Sequence, residues 1–283
     1  MKLLSFEIAG TPKFGVWVDG GVIDMTQRLA GKYPDLLSVL QAGALAEIAA
    51  AARHGTPDYS ADSIGFLPVI PNPPKIICIG INYEEHRSEI GREPSLKPPV
   101  FARFANSQVG HLGAIVLPPE SEKLDYEGEI AVIIGKGGRR IAPDRVWGHI
   151  AGYAPYNDGS VRDWQGHTHQ WTPGKNFVHT GGFGPWMSTA DEFGPDPELH
   201  LSTRLNGVEV QRASSRQMIF SIAELIAYCS TFTELEPGDV IVTGTPGGVG
   251  ARRKPQLFMR HGDVVEVEIS QIGVLRNVIE REA

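Results

Sequence analysis

Cysteine is nearly absent: the 283-residue chain carries two, Cys78 and Cys229, each inside an apolar stretch. Two such thiols cannot supply the disulfide framework of a small secreted domain, and they suit a reducing compartment, so a cytoplasmic location is expected. Positive charge is scarce as well. Lys and Arg number 26 against 33 Asp and Glu, a formal net charge of −7, and the one basic cluster is the short ARRK at 251–254. That balance disfavours a nucleic-acid partner. No apolar run reaches the roughly 20 residues that span a bilayer. The opening MKLLSFEIA is interrupted by Glu7 too early for a signal-peptide core. Fixed-period repeats and low-complexity segments are also missing.

What remains is a hydrophobic content of 41%, ample for a sizeable core in one large domain, or one large and one small. Residues 1–70 open with the strand patterns LLSFEIA and FGVWVDGGVIDMT, with Gly20-Gly21 as the hairpin turn, and continue into an Ala/Leu-rich helix over 36–52. This reads as a small N-terminal α/β domain. The prolines of PVIPNPPK at 68–75 hold the chain extended and suit a domain connection. From there to residue 283, β-rich runs alternate with Gly/Pro turns: IICIGI, AIVLP, EIAVIIG, LSTRLNGVEV, DVIVTGT, DVVEVEI and VLRNVI, with one helix near 220–231. The pattern predicts an α+β chain, mostly β, folded as a mixed β-sandwich roll.

Neither TGTPGGVGARRK nor GKGGRR at 135–140 is a phosphate loop, because glycine is missing where a dinucleotide fingerprint needs it and Lys254-Pro255 opposes a following helix. PGGVG reads as a tight turn, with a cradle of backbone N–H groups for a carboxylate as the alternative.

The stretch DYEGEIAVIIGK at 125–136 is harder to explain. Its centre is wholly apolar, yet Glu127 and Glu129 precede it two residues apart, and a period of two aims both the same way. Two like charges roughly 6 Å apart repel by about 3 kcal/mol at an effective dielectric near 20. A divalent cation would remove that cost. Asp158, in the bend-forming GYAPYNDGSVRDWQ, is a third candidate, and an all-oxygen set suits Mg²⁺, Mn²⁺ or Ca²⁺ rather than zinc. The ordinary alternative is a solvated strand start, paired with Lys123 or Arg139.

In NYEEHRSEIG, Asn82 can cap a short helix with Glu85 at its third position and Gly91 ending it. His86 and Glu89 then share a face, as a general base and its orienting carboxylate or as a surface ion pair. In RDWQGHTHQWTPGKNF, Lys175 can act as a fixed charge, and Arg162 and Gln165 can clamp an anion. Asp163 reads as a local partner of Arg162. His167 and His169 lack the further ligands of a zinc site, and Trp164 and Trp171 read as core or rim aromatics.

CIGINYEEH, DYEGEIAVIIGK, GYAPYNDGSVRDWQ, GKNF, GPW, MIFSIAELIAYCS and LEPGDVIVTGTPGGVG occur in the order expected of the fumarylacetoacetate hydrolase superfamily, which the chain resembles over about 75–279. The resemblance implies that Glu127, Glu129 and Asp158 hold Mg²⁺ or Mn²⁺, for which Ca²⁺ can substitute, with Lys175 beside the metal. It implies His86 and Glu89 as a water-activating pair on a mobile lid; the segment 84–98, charged, interrupted by Gly91 and proline-rich beyond Glu93, is expected to be mobile when empty and to close as a short helix. It further implies that Gly244 and Thr245 of TGTP, with Arg162 and Gln165, meet the substrate. Some members carry a further ligating aspartate where this chain has Asn82, so three protein ligands are expected.

The shorter bacterial branch includes acylpyruvate hydrolases, 2-oxo-acid decarboxylases and isomerases of aromatic degradation. The expected activity is a metal-dependent hydrolase cleaving a C–C bond in a 2,4-dioxo acid. An isomerase or decarboxylase on the same site is the runner-up, and an inactive metal-stabilised binding protein is the reading from another class. The expected assembly is a homodimer, with no membrane or nucleic-acid partner.

Overall fold

The computed structural model describes residues 1–282. It is an α+β structure dominated by sheet, as the sequence pattern predicts. The large sheet has 13 strands. At its centre Gly128–Ile134 lies antiparallel to Ile150–Asn157 on one side and to Val240–Val242 on the other, and Val240–Val242 runs parallel to Ile76–Ile79. The N-terminal strands join the same sheet, because Lys2–Ile8 pairs with Met187–Thr189. A five-stranded sheet packs across it, ordered Val208–Ser214, His200–Leu205, Val264–Ile269, Gly273–Arg281, Ala114–Leu117.

The apolar run of Gly128–Ile134 is explained by burial on both faces. Ala131 and Ile133 pack with Leu36, Leu40 and Ile48 of the N-terminal helices. Ile130, Val132 and Ile134 pack with Leu225, Ile226 and Cys229 of helix Ile222–Phe232 and with Leu201 and Val267 of the second sheet. Each fully buried aliphatic side chain contributes about 1.5–3 kcal/mol. Gly128 permits the close crossing, since a Cβ there would stand 2.0 Å from Thr203 Oγ1. Helix Ile222–Phe232 starts where the sequence places it, on a capping box between Ser221 and Glu224.

Several local expectations change. The helix over 36–52 is two, Leu36–Gln41 and Leu45–Ala52, separated at Gly43, whose φ of 63° ends the first. The first hairpin turns on Asp19-Gly20, both at positive φ, with Gly21 already in the next strand. Strand Ile150–Asn157, buried throughout, escaped the sequence reading because Gly152 and Pro155 are strand-breaking types. Pro155 is tolerated because its carbonyl faces the irregular step at Gly184, whose N–H donates to it at 3.3 Å, so its missing N–H leaves no ladder bond unmade.

His111 joins the N-terminal segment to the C-terminal strand. Its Nδ1 accepts from Arg276 N at 3.0 Å, and its ring meets Phe66 edge-on at 4.8 Å. Burial, reinforced by the charge of Arg276, pulls its pKa down to about 4. The unfolded chain takes a proton near pH 6.5 that the fold refuses until about pH 4. Stability is therefore lost as pH falls through that window, by at most about 3 kcal/mol. In urea unfolding, the gap between wild type and His111→Gln should widen against wild type from pH 7 to pH 4. Parallel pH profiles would show that the folded histidine protonates freely.

Candidate active site and metal centre

The elements around the central strand end at one edge of the sheet. Gly128 registers with Asn157, so Glu127 and Asp158, just outside the pair, stand across from one another, joined by the Asp158 N–H to Glu127 carbonyl bond of 2.8 Å. Glu127, Glu129 and Asp158 are all buried, and each offers an oxygen within 4.8 Å of the others. The solvated-strand alternative fails: neither Lys123 nor Arg139 approaches these glutamates.

Three cations meet them instead. Lys175 Nζ donates to Glu127 Oε2 at 2.6 Å and Asp158 Oδ2 at 2.7 Å. Arg162 Nη1 lies 2.7 Å from Glu127 Oε1. Arg103, which no motif singled out, places Nη1 2.5 Å from Asp158 Oδ1 and spreads its other nitrogens over Ser107 and Thr180. Glu129 has no cation; the Gly244 N–H reaches its Oε2 at 2.5 Å.

Burial opposes charge on all these groups, and the outcome differs by neighbour. For Glu127 the charges of Arg162 and Lys175 outweigh burial and hold its carboxyl below the usual range. For Glu129 burial, then Asp158 and Glu127, push the carboxyl well above it. Lys175 is desolvated, yet Asp158 and Glu127 hold its ammonium above the ordinary value. The three cations are thus spent on Glu127 and Asp158, and the local deficit of positive charge lies at Glu129. A hard divalent cation fits that deficit and the all-oxygen donor set.

His86 and Glu89 lie on helix Glu84–Glu89, with His86 Nδ1 3.2 Å from Glu89 Oε2. The short helix expected on lid closure is already formed. Its N-cap is Tyr83; Asn82 is buried below it, binding Phe220 N and O and Thr243 O. Gly91, at φ 67°, follows the helix end as expected.

PGGVG is more than a turn. Gly248 N donates to both Glu89 oxygens at 3.2 and 3.3 Å, and Gly250 N and Ala251 N donate to Asp125 at 2.8 and 2.9 Å. The carboxylates it cradles are the protein's own. Asp125 also receives Arg162 Nε at 2.8 Å, so the local partner of Arg162 is Asp125; Asp163 bonds Ser121 instead. Gln165 accepts from Arg162 at 2.9 Å. Thr245 Oγ1 donates to Gly128 O at 3.0 Å and accepts from Gln211 at 2.8 Å.

A cavity of about 1120 Å³ brings His86, Glu127, Glu129, Arg162, Gln165, Lys175 and Thr245 together, with His167, His169 and Trp171 at its rim. Glu89, Asp158 and Gly244 stand behind that wall, each bonded to a residue on or beside it. The arrangement can hold an anionic ligand against a divalent cation with an imidazole facing it.

Asp125, Arg103 and Gln211 were not legible as site residues, since single polar residues inside strand runs carry no local signal. Arg103→Met would leave Asp158 with an unpaired oxygen in a dry interior, and stability should drop by about 3 kcal/mol or more in urea unfolding. A loss below about 1 kcal/mol would mean that water replaces the guanidinium.

The model of the C-terminal domain of fumarylacetoacetate (FAA) hydrolase matches residues 75–280. An oxaloacetate tautomerase of Rattus norvegicus, mitochondrial by name, is 37% identical over 93% of this chain and 85% of its own length. The fumarylacetoacetate hydrolase of Exiguobacterium antarcticum superposes over the whole of both chains with a TM-score of 0.84 and 33% identity. Maleylpyruvate hydrolase from Sphingobium sp. SYK-6, solved with manganese(II) and pyruvate, also covers both chains, at 0.83 and 26%. With the matched region spanning most of its length, this chain belongs to the fumarylacetoacetate hydrolase family.

Proposed function

We propose that this chain is a divalent-metal-dependent enzyme that interconverts the keto and enol forms of a small 2-oxo diacid. The observation that carries the reading is the imidazole of His86, held by Glu89 on the same cavity as Glu127, Glu129 and Lys175. Similarity to an oxaloacetate tautomerase over nearly the whole chain supports it.

Glu127, Glu129 and Asp158 would hold Mg²⁺ or Mn²⁺. When bound, the cation supplies Lewis-acid stabilisation of negative charge on the 2-oxo oxygen. The carboxylate of Glu89 can only accept from Nδ1, so the His86 tautomer leaves Nε2 with a lone pair, a base for the carbon beside the carbonyl. As Nε2 takes that proton, the C–H electron pair becomes the C=C bond and the carbonyl pair moves onto oxygen. Transfer of that proton from the imidazolium, through water, to the oxygen gives the enol and restores neutral His86, and the reverse transfer returns the proton to carbon and gives the ketone. Lys175 spends two of its three N–H donors on Glu127 and Asp158, leaving one for the developing oxyanion. Arg162 Nη2 is buried without a partner, and a substrate carboxylate would satisfy it.

A second reading is hydrolysis of a C–C bond in a 2,4-dioxo acid. The volume of the cavity favours it, being larger than a four-carbon acid needs, as does similarity to two hydrolases. There His86 takes a proton from water, hydroxide adds to the distal carbonyl, and the breaking C–C pair leaves as the same enolate.

Following enol absorbance in the ultraviolet, the enzyme with Mn²⁺ should ketonise oxaloacetate faster than buffer, and His86→Ala should lower kcat by roughly 10²-fold with metal affinity retained. No acceleration of oxaloacetate, together with turnover of acylpyruvates, would replace the first reading with the second.

Stripping with EDTA should abolish turnover, and Mg²⁺ or Mn²⁺ should restore it. Ligand at about 100 times Kd adds about 2.7 kcal/mol to stability, so Tm should rise on titration with Mn²⁺ in wild type and stay flat in Glu129→Gln. Full activity after metal removal would overturn the metal assignment.

A further inference from the structure

Four arginines line the cavity, and they are engaged differently. Arg87 is bound by Glu84 and by the Arg92 carbonyl at 2.5 Å. Arg162 spans Asp125, Glu127 and Gln165. Arg92 has no side-chain partner among the described residues, but it lies in the exposed segment after Gly91, next to Glu93, which is also on the wall. Arg252 is exposed, and among the described residues its side chain has neither a carboxylate nor a hydrogen-bond acceptor.

Its side chain is unengaged, while its backbone is anchored. The turn Gly250–Arg252 is pinned by the Gly250 and Ala251 amides on Asp125, which holds Arg162, which in turn reaches Glu127. Arg252 is thus rooted in the same hydrogen-bonded chain that ends at the carboxylate trio. The approach is too close for any other residue at Gly250, where a Cβ would lie 1.8 Å from Leu257 O and 2.6 Å from Asp125 Oδ1. Gln256, also on the wall, donates to Ala251 O at 2.9 Å and braces the turn from the far side.

We infer that Arg252 is a specificity-determining residue that receives the distal carboxylate of a 2-oxo diacid, so that the site selects dicarboxylates over monocarboxylates. This rests on the 2-oxo acid reading above. A ligand whose oxo-acid end sits at the trio and Arg162 runs outward along the wall that Arg252 shares. An uncompensated guanidinium there presents a planar donor fork matched to a carboxylate. Arg162 cannot serve both ends, because all but its Nη2 is taken.

The test compares oxaloacetate with 2-oxobutanoate, which keeps the oxo-acid end and lacks the second carboxylate. Binding to the Mn²⁺-loaded enzyme is measured by competition against pyruvate, and turnover of oxaloacetate is measured alongside. Wild type should prefer oxaloacetate by tenfold or more. Arg252→Gln should lose most of that preference through weaker oxaloacetate binding, and Arg252→Lys should recover part of it. Being exposed and unpaired, Arg252 can be replaced with little effect on folding, which the melting temperature verifies. Equal affinities in wild type, or a preference that survives in Arg252→Gln, would overturn the inference and leave the 2-oxo acid reading standing. Failure of wild type to bind any of the three acids would overturn both.

Discussion

The structure is organised around the ammonium of Lys175, held between Glu127 and Asp158 at 2.6 and 2.7 Å. Taking one ion into a dry interior costs several kcal/mol, and taking three carboxylates into one place costs more, so the cluster can exist only if cations follow. Each cation comes from a different part of the chain. Arg103 arrives on the strand Val100–Arg103, Arg162 on the turn after Ser160–Val161, and Lys175 on the helical turn Thr172–Lys175. Charge neutralisation therefore adds to the aromatic contacts Phe101–Trp171 and Trp164–Phe177 that already join these segments. The two sheets supply the stability that lets Glu129 remain without a cation of its own.

That deficit gives the site its chemistry. A cluster fully neutralised by arginine and lysine would be an inert structural ion pair. One that leaves a buried carboxylate without a cation, opening on a cavity, suits a divalent cation. Glu129, without a cation, and Arg162, with its partnerless Nη2, line the same cavity, so a cation and an anionic ligand would complement one arrangement.

Much of this was legible in the sequence. The alternation in DYEGEIAVIIGK placed Glu127 and Glu129 on one side, because strand periodicity is set by the backbone alone. The helix at Ile222–Phe232 was legible near 220–231 from its apolar pattern, and the capping pair Ser221 and Glu224 fixes its start. The positions of Arg103 and Asp125 were not, since a lone charged residue in a strand run has no local signature and its meaning comes from partners 55 and 37 positions away. Strand Ile150–Asn157 was hidden for a related reason. Gly152 and Pro155 weaken a strand by propensity, and only the neighbouring strands make them acceptable, Gly152 by admitting Ser188 O at 2.2 Å from where a Cβ would stand.

The glycine-rich loop at 246–251 shows how local and global requirements meet. Read alone it is a turn. In the fold its amides hold Glu89 at one end and Asp125 at the other, so one backbone segment orients both the carboxylate that meets His86 and the carboxylate that meets Arg162. Backbone N–H groups suit this task because they have no rotamers to lose and cannot be titrated. A shift of this loop would disturb His86 and Arg162 together. That couples the placement of His86 to the placement of Arg162 through the backbone. It also explains why glycine is needed here: at Gly248 the backbone sits at φ 98°, with Val210 O 2.2 Å from a would-be Cβ, a position open only to a residue without a side chain.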